Sequence, residues 1–121
     1  AYVIKAQVPE EKSFFDALTK SGFEVKMKDL QVFVDGSKKG DWDVGLAMDV
    51  IKMAPSIDTV ILVSGDGDYV PLVEYLQNHG KIVEAVAFGR SSSQNLVSRV
   101  DDFFDLELIL KRVLLKYKDK K

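Results

Sequence analysis

No cysteine occurs in the 121 residues. Disulfides and thiolate metal sites are therefore excluded, and a reducing compartment suits the chain. No apolar run approaches the length of a membrane span, and no signal peptide is visible. The expected location is cytoplasmic, with no membrane partner. A strong charge of either sign is also missing: the net charge is −2. A basic balance would have pointed to nucleic acid, and this one neither supports nor excludes it. Histidine occurs once, in Asn78-His79-Gly80, where it reads as structural at a helix C-terminus with Asn78 or Gly80 as the left-handed cap. There is no internal repeat and no interdomain linker. The chain opens on Ala1-Tyr2-Val3-Ile4 without an initiator methionine, which reads as the middle of something longer.

What is present suffices for one domain with a real core. The hydrophobic fraction is 46%, ordinary for a globular protein. Residues 2–8 read as a strand, and Pro9-Glu10-Glu11-Lys12 opens a helix with Phe14, Phe15 and Leu18 on its apolar face. The alternation in 23–27 predicts a half-buried strand. Residues 30–34 are extended, and Asp35-Gly36 is a turn. A helix over 41–54 turns Val44, Leu46, Ala47, Val50 and Ile51 to the core and stops at Pro55. Residues 59–63 read as a fully buried strand, 71–78 as a helix, 81–88 as a strand and 94–100 as a short helix capped by a serine. The spacing of Leu106, Ile109, Leu110, Val113, Leu114 and Tyr117 predicts a final amphipathic helix, so 107–121 is that helix plus a basic tail. Alternating strands and helices imply an α/β fold with a mostly parallel sheet covered on both faces.

The most informative stretch is Ser64-Gly65-Asp66-Gly67-Asp68-Tyr69. It lies where a strand ends and a helix begins, the edge at which open α/β sheets bind ligands. The flanking glycines permit positive φ and leave room near the backbone. Two carboxylates this close repel unless a cation or proton lies between them. Mg²⁺ or Mn²⁺, which prefer oxygen ligands, would satisfy them. A polar turn with a capping aspartate explains an isolated Asp-x-Asp equally well. A second acidic group, Asp41-Trp42-Asp43, enters the helix over 41–54, with Asp49 further along. Asp49 is six residues past Asp43, about 240° round a helix. At most one of the two faces a given point, and Asp43, at the helix start, is preferred. Asp41 reads as the N-cap.

These residues together carry a resemblance. Lys39-Gly40-Asp41-Trp42-Asp43-Val44-Gly45-Leu46-Ala47-Met48-Asp49, followed by Ser64-Gly65-Asp66-Gly67-Asp68-Tyr69-Val70-Pro71-Leu72, resembles the NYN domain, in its LabA-like branch. Gly80-Lys81-Ile82-Val83-Glu84 and Leu96 with Val100-Asp101-Asp102-Phe103 extend the match to about Leu106. The resemblance implies a PIN-like nuclease domain: a three-layer αβα sandwich holding Mg²⁺ or Mn²⁺ in an acidic cluster and acting on RNA, here expected to be single-stranded. It puts the catalytic and metal-binding acids at Asp43, Asp66 and Asp68, with Asp49 and Asp101 as secondary acidic candidates. Such domains normally open on a strand with an Asp-x-x-Asn-type motif, which this chain does not contain. The expectation is a single domain over 1–121 without its first strand and helix, and with one metal ligand fewer.

Substrate contacts are expected from Ser64, from Lys38 and Lys39 in the basic loop 36–40, and from Arg90 and Ser92 in the loop 89–93. Trp42 and Tyr69 could stack on unpaired bases or pack under the loop, and Tyr69 is the better candidate because it adjoins the acids. The final helix could dock on its own sheet or on a second copy, which leaves a homodimer open. Two other functions fit parts of the pattern. A PIN-like module that binds RNA or protein without catalysis fits the absent acid. A haloacid-dehalogenase-like phosphatase would use Asp66 and Asp68 with Lys81 and Asp101-Asp102, although the spacing is compressed for that family.

Overall fold

The computed structural model describes residues 1–114. The chain divides into two compact units, Ala1–Met48 and Asp49–Lys121. In the first, β1 (Tyr2–Lys5) continues into α1 (Glu11–Lys20) and then β2 (Lys26–Asp29). β1 and β2 are parallel, with Tyr2 opposite Lys26. The first strand is shorter than its apolar run predicted. Gln7 takes a φ of 61°, which ends an extended run. The Glu11 carboxylate accepts the N–H groups of Ala6 and Gln7 at 2.9 and 2.8 Å, fixing the bend that leads into α1. Phe15 is the buried residue of α1, whereas Phe14 is exposed. The expected half-buried strand over 23–27 starts only at Lys26, and every residue of β2 is exposed.

Two short strands follow, β3 (Gln31–Val32) and β4 (Lys38–Lys39), paired antiparallel. The turn between them is held by Asp35. Its carboxylate accepts the Ser37 hydroxyl at 2.6 Å and the Ser37 N–H at 2.9 Å. Those bonds hold the Asp35 carboxyl below its ordinary range, the hydroxyl contributing most. Lys38 and Lys39 are thus the return strand of a hairpin, not a free basic loop. α2 (Asp43–Met53) comes next. It buries Val50 and leaves Val44 exposed, contrary to the expected apolar face.

The second unit holds β5 (Thr59–Leu62), α3 (Val70–Asn78), β6 (Ile82–Ala87), α4 (Gln94–Arg99) and β7 (Asp102–Asp105). The three strands form one parallel sheet in the order β5-β6-β7. Strand order follows chain order, so right-handed crossovers put both helices on one face. That face carries Val60 and Leu62 of β5, in register with Val83 and Ala85 of β6. Val73, Leu76, Val83, Ala85 and Leu96 have no solvent exposure and form the centre of the core.

β5 buries alternate residues only: Ile61 on the opposite face is 61% exposed, with Ile82 and Phe104 also open. α3 and α4 pack on the face that carries Val60 and Leu62. α3 ends as expected: His79 is its C-cap, its Nδ1 lies 2.8 Å from the Tyr75 carbonyl, and Gly80 follows at φ 75°. After β7 the chain makes a 3-10 turn, Leu106–Ile109, and then one helical turn, α5 (Leu110–Val113). The expected single helix from Leu106 is interrupted at Ile109, whose φ of −125° is not helical. Tyr117 and the basic tail lie outside the described residues.

Candidate functional site

β5 delivers its last residues to the C-terminal edge of the parallel sheet. The chain then turns through Ser64 to Asp66 into a 3-10 turn, Gly67–Tyr69, and on into α3, with Pro71 in its first turn. Ser64 Oγ accepts the Asp66 N–H at 3.1 Å, and Asp66 Oδ1 accepts the Asp68 N–H at 2.9 Å. Asp66 thus caps the turn with one oxygen and has a second oxygen to offer. Asp66 and Asp68 are both exposed, and a carboxylate oxygen of one lies within 4.8 Å of a carboxylate oxygen of the other. A cap and a ligand are therefore not exclusive roles for Asp66.

Gly65 and Gly67 do not adopt positive φ. They are needed for closeness instead. A Cβ on Gly65 would collide with Ser92 Oγ and come within 2.9 Å of its Cα; one on Gly67 would lie 2.7 Å from Ser93 Oγ. The Ser93 N–H donates to the Gly65 carbonyl at 2.8 Å. The loop after β5 is thereby joined to the loop after β6. Ser92 Oγ donates to the Phe88 carbonyl at 2.7 Å, and Ser93 Oγ caps α4 by accepting the Leu96 N–H. Between the two loops lies an open cleft of about 850 Å³. Ser64, Asp66, Phe88, Arg90 and Ser92 border it, together with the apolar Val63 and Leu106.

Arg90 projects into solvent, its side chain 89% exposed, with Glu107 3.9 Å away. A pair this long and wet is weak. Asp105, not singled out by its sequence context, organises this border. One carboxylate oxygen accepts the N–H groups of Gly89 and Glu107, both at 2.9 Å. The Gly89 N–H foremost, then the Glu107 N–H and the charge of Arg90, hold its carboxyl below the ordinary range. The available signal was Asp105-Leu106-Glu107, an aspartate capping its own N–H two residues on.

Tyr69 and Asp101 take other roles. Tyr69 is 6% exposed and part of the core, so its ring offers no open face to a base. Asp101 precedes β7, at the N-terminal edge of the parallel sheet, opposite the edge that carries Asp66. Its carboxylate is held by the Val83 N–H at 2.8 Å and by Gln77 Nε2 at 3.3 Å. The phosphatase arrangement needs Lys81 and Asp101-Asp102 beside Asp66, and the parallel topology puts them at the far end of the strands. In the first unit, Asp43 opens α2 and is half-buried, and its N–H donates to Asp41 Oδ1 at 3.2 Å. Asp49, also half-buried, sits on another side of that helix. Trp42 packs by donating its indole N–H to the Val3 carbonyl at 2.8 Å and meeting Tyr2 edge-on at 5.2 Å.

A family model described as the NYN domain matches residues 1–107. The chain belongs to the NYN domain family. That family falls within the PIN-like nuclease superfamily; its domains are typically dependent on divalent metal and generally bind RNA. The chain is 26% identical over 103 residues to the low amplitude and bright protein LabA of Synechococcus elongatus, covering 80% of this chain and 55% of LabA. The match thus spans little more than half the length of that curated relative. A crystal structure of a protein of unknown function from Vibrio parahaemolyticus superposes with a TM-score of 0.80 at 44% identity, over 88% of this chain and 66% of that one. The α/β fold is shared with it. No helix among the described residues is long and apolar enough to cross a membrane.

Proposed function

We propose that this NYN domain is a Mg²⁺- or Mn²⁺-dependent ribonuclease that hydrolyses phosphodiesters of single-stranded RNA in the cytoplasm. The observation that carries the reading is the pair Asp66 and Asp68, exposed and within 4.8 Å at the ligand-binding edge of a parallel sheet. Their chemistry suits the cation: both offer hard carboxylate oxygens, and Mg²⁺ is commonly held by one or two carboxylates plus substrate phosphate. Asp43 is the third acid in this reading. When bound, such a cation supplies a water of lowered pKa and offsets charge on the phosphoryl oxygens.

The chain's own groups do the rest. Asp66 Oδ1 keeps the turn closed, which fixes the direction of its second oxygen. Ser64 accepts the Asp66 N–H and retains a hydroxyl proton to donate to a phosphate oxygen. Arg90 adds positive charge on the far side of the cleft.

Cleavage of a labelled unstructured RNA with Mn²⁺ tests the proposal. The wild-type chain should cleave in a chelator-sensitive way, and Asp66→Asn and Asp68→Asn should each lose on the order of 100-fold or more. Chelator-insensitive cleavage, or full rates in both variants, overturns it. RNA binding without cleavage would make the domain a non-catalytic binding module.

A further inference from the structure

We infer that the cleft between the loops 63–67 and 88–93 seats one unpaired nucleotide of the RNA strand, with Phe88 as the platform for its base. The inference rests on the ribonuclease reading and extends it to a residue with no role in the resemblance. The cleft's volume, about 850 Å³, lies in the range of small-molecule sites. Its lining is divided. Phe88, Val63 and Leu106 give an apolar surface, whereas Ser64 and Arg90 give donors and Asp66 brings the acidic edge.

A nucleotide is divided in the same way, with a flat apolar base at one end and an anionic phosphate at the other. Tyr69 cannot serve as the aromatic platform because it is buried. Phe88 is half-buried and borders the cleft. Its backbone is held firmly: its carbonyl accepts the Ser92 hydroxyl at 2.7 Å, and Asp105 anchors the next residue through the Gly89 N–H. A ring on an anchored backbone is preorganised for stacking, and stacking tolerates any base. Two flanking contacts, to base and to phosphate, would fix one nucleotide beside the acids and so position the adjoining phosphodiester.

The test is a titration of the whole chain in Mg²⁺ with adenosine 5′-monophosphate and with ribose 5-phosphate, read by amide and methyl chemical shifts. The nucleotide should bind more tightly than the sugar phosphate and should shift Val63, Phe88 and Leu106 by ring current. Phe88→Ala should weaken the nucleotide by about tenfold and leave ribose 5-phosphate unchanged, and Phe88→Trp should restore it. Equal binding of the two probes by wild type overturns the inference without any variant. So does nucleotide binding that is unaffected in a folded Phe88→Ala. Neither readout involves hydrolysis. A seated, Phe88-dependent nucleotide in a chain that cleaves no RNA would refute the ribonuclease reading alone, and cleavage without seating would refute this inference alone.

Discussion

Asp101 and Val83 exchange two hydrogen bonds: the Asp101 N–H donates to the Val83 carbonyl, and the Val83 N–H donates to the Asp101 carboxylate, each at 2.8 Å. Val83 is completely buried. The carboxylate thus satisfies a main-chain donor at the start of β6 and sets the register in which Glu84 faces Asp102. Gln77 reaches the same point from α3, donating to the Arg99 carbonyl and to Asp101. An acid that the sequence offered as a spare metal ligand is the clasp at the other end of the sheet.

Removing that clasp should destabilise the fold without touching the chemistry. Asp101→Ala leaves the Val83 N–H without its partner, whereas Asp101→Asn retains an acceptor oxygen but loses the charge. Thermal melts should rank wild type above Asp101→Asn, and Asp101→Asn above Asp101→Ala. RNA cleavage per folded molecule should be unchanged. A selective loss of metal response in either variant would return Asp101 to the metal site.

Acid sensitivity follows from the same bonds. The Val83 N–H, then Gln77, lower the Asp101 carboxyl, and the Gly89 and Glu107 N–H groups lower that of Asp105. A depressed folded-state pKa contributes stability above the unfolded value, about 3.9 for aspartate, and loses it as pH falls through the folded value. Melting temperature should therefore decline as pH drops below about 5. The decline should be shallower in Asp101→Asn and in Asp105→Asn. Parallel curves for all three proteins would show that these carboxylates do not govern the acid limb.

Asp66 and Asp68 should respond differently when their charge is removed. Asp68 presents its carboxylate to solvent near that of Asp66, so Asp68→Asn relieves repulsion in the metal-free chain. For exposed charges this is on the order of 0.5–1 kcal/mol, a rise of about 3 °C. Asp66→Ala removes the cap on the Asp68 N–H and should cost about 1 kcal/mol. Both should lose the stabilisation that excess Mn²⁺ gives wild type. Melts in EDTA and in Mn²⁺ decide the matter, and a destabilised Asp68→Asn with an intact Mn²⁺ response would make that residue a structural turn aspartate.

The local grammar of the second unit was legible in its residues. An apolar strand, Ser64-Gly65-Asp66-Gly67-Asp68, and proline at the helix start specify strand, turn and helix by short-range rules. His79-Gly80 likewise ends α3 as glycine chemistry dictates. What was not legible depends on partners distant in sequence. Tyr69 is buried by neighbours that no local pattern reveals. Ile61 and Val63 are as apolar as Val60 and Leu62, yet only the helices on one face decide which pair is buried. Lys38-Lys39 reads as a solvated loop until Gln31 and Val32 pair with it. Asp105 and Asp101 are ordinary surface acids until Val83 of β6 and Gly89 of the turn after it arrive.

The two glycines of the acidic turn offer a test of how the loops are joined. Both lack positive φ, so an alanine is opposed by space alone. The obstacles differ in kind. At Gly67 the added methyl meets only the Ser93 side chain, Oγ at 2.7 Å and Cβ at 3.0 Å. At Gly65 it meets Ser92 Oγ and also the Ser92 Cα at 2.9 Å. Each alanine should cost about 1–3 kcal/mol by overpacking. Ser93→Gly removes the whole obstacle at Gly67 and, as a glycine N-cap, costs only a few tenths of a kcal/mol itself. The Gly67→Ala/Ser93→Gly pair should therefore recover most of the lost stability. Ser92→Gly removes only the side chain and leaves the main chain in place, so Gly65→Ala/Ser92→Gly should stay destabilised. Denaturant unfolding of both double-mutant cycles measures the two coupling energies. Equal rescue at both positions would mean that the loop 88–93 yields freely and that the two loops are not rigidly joined.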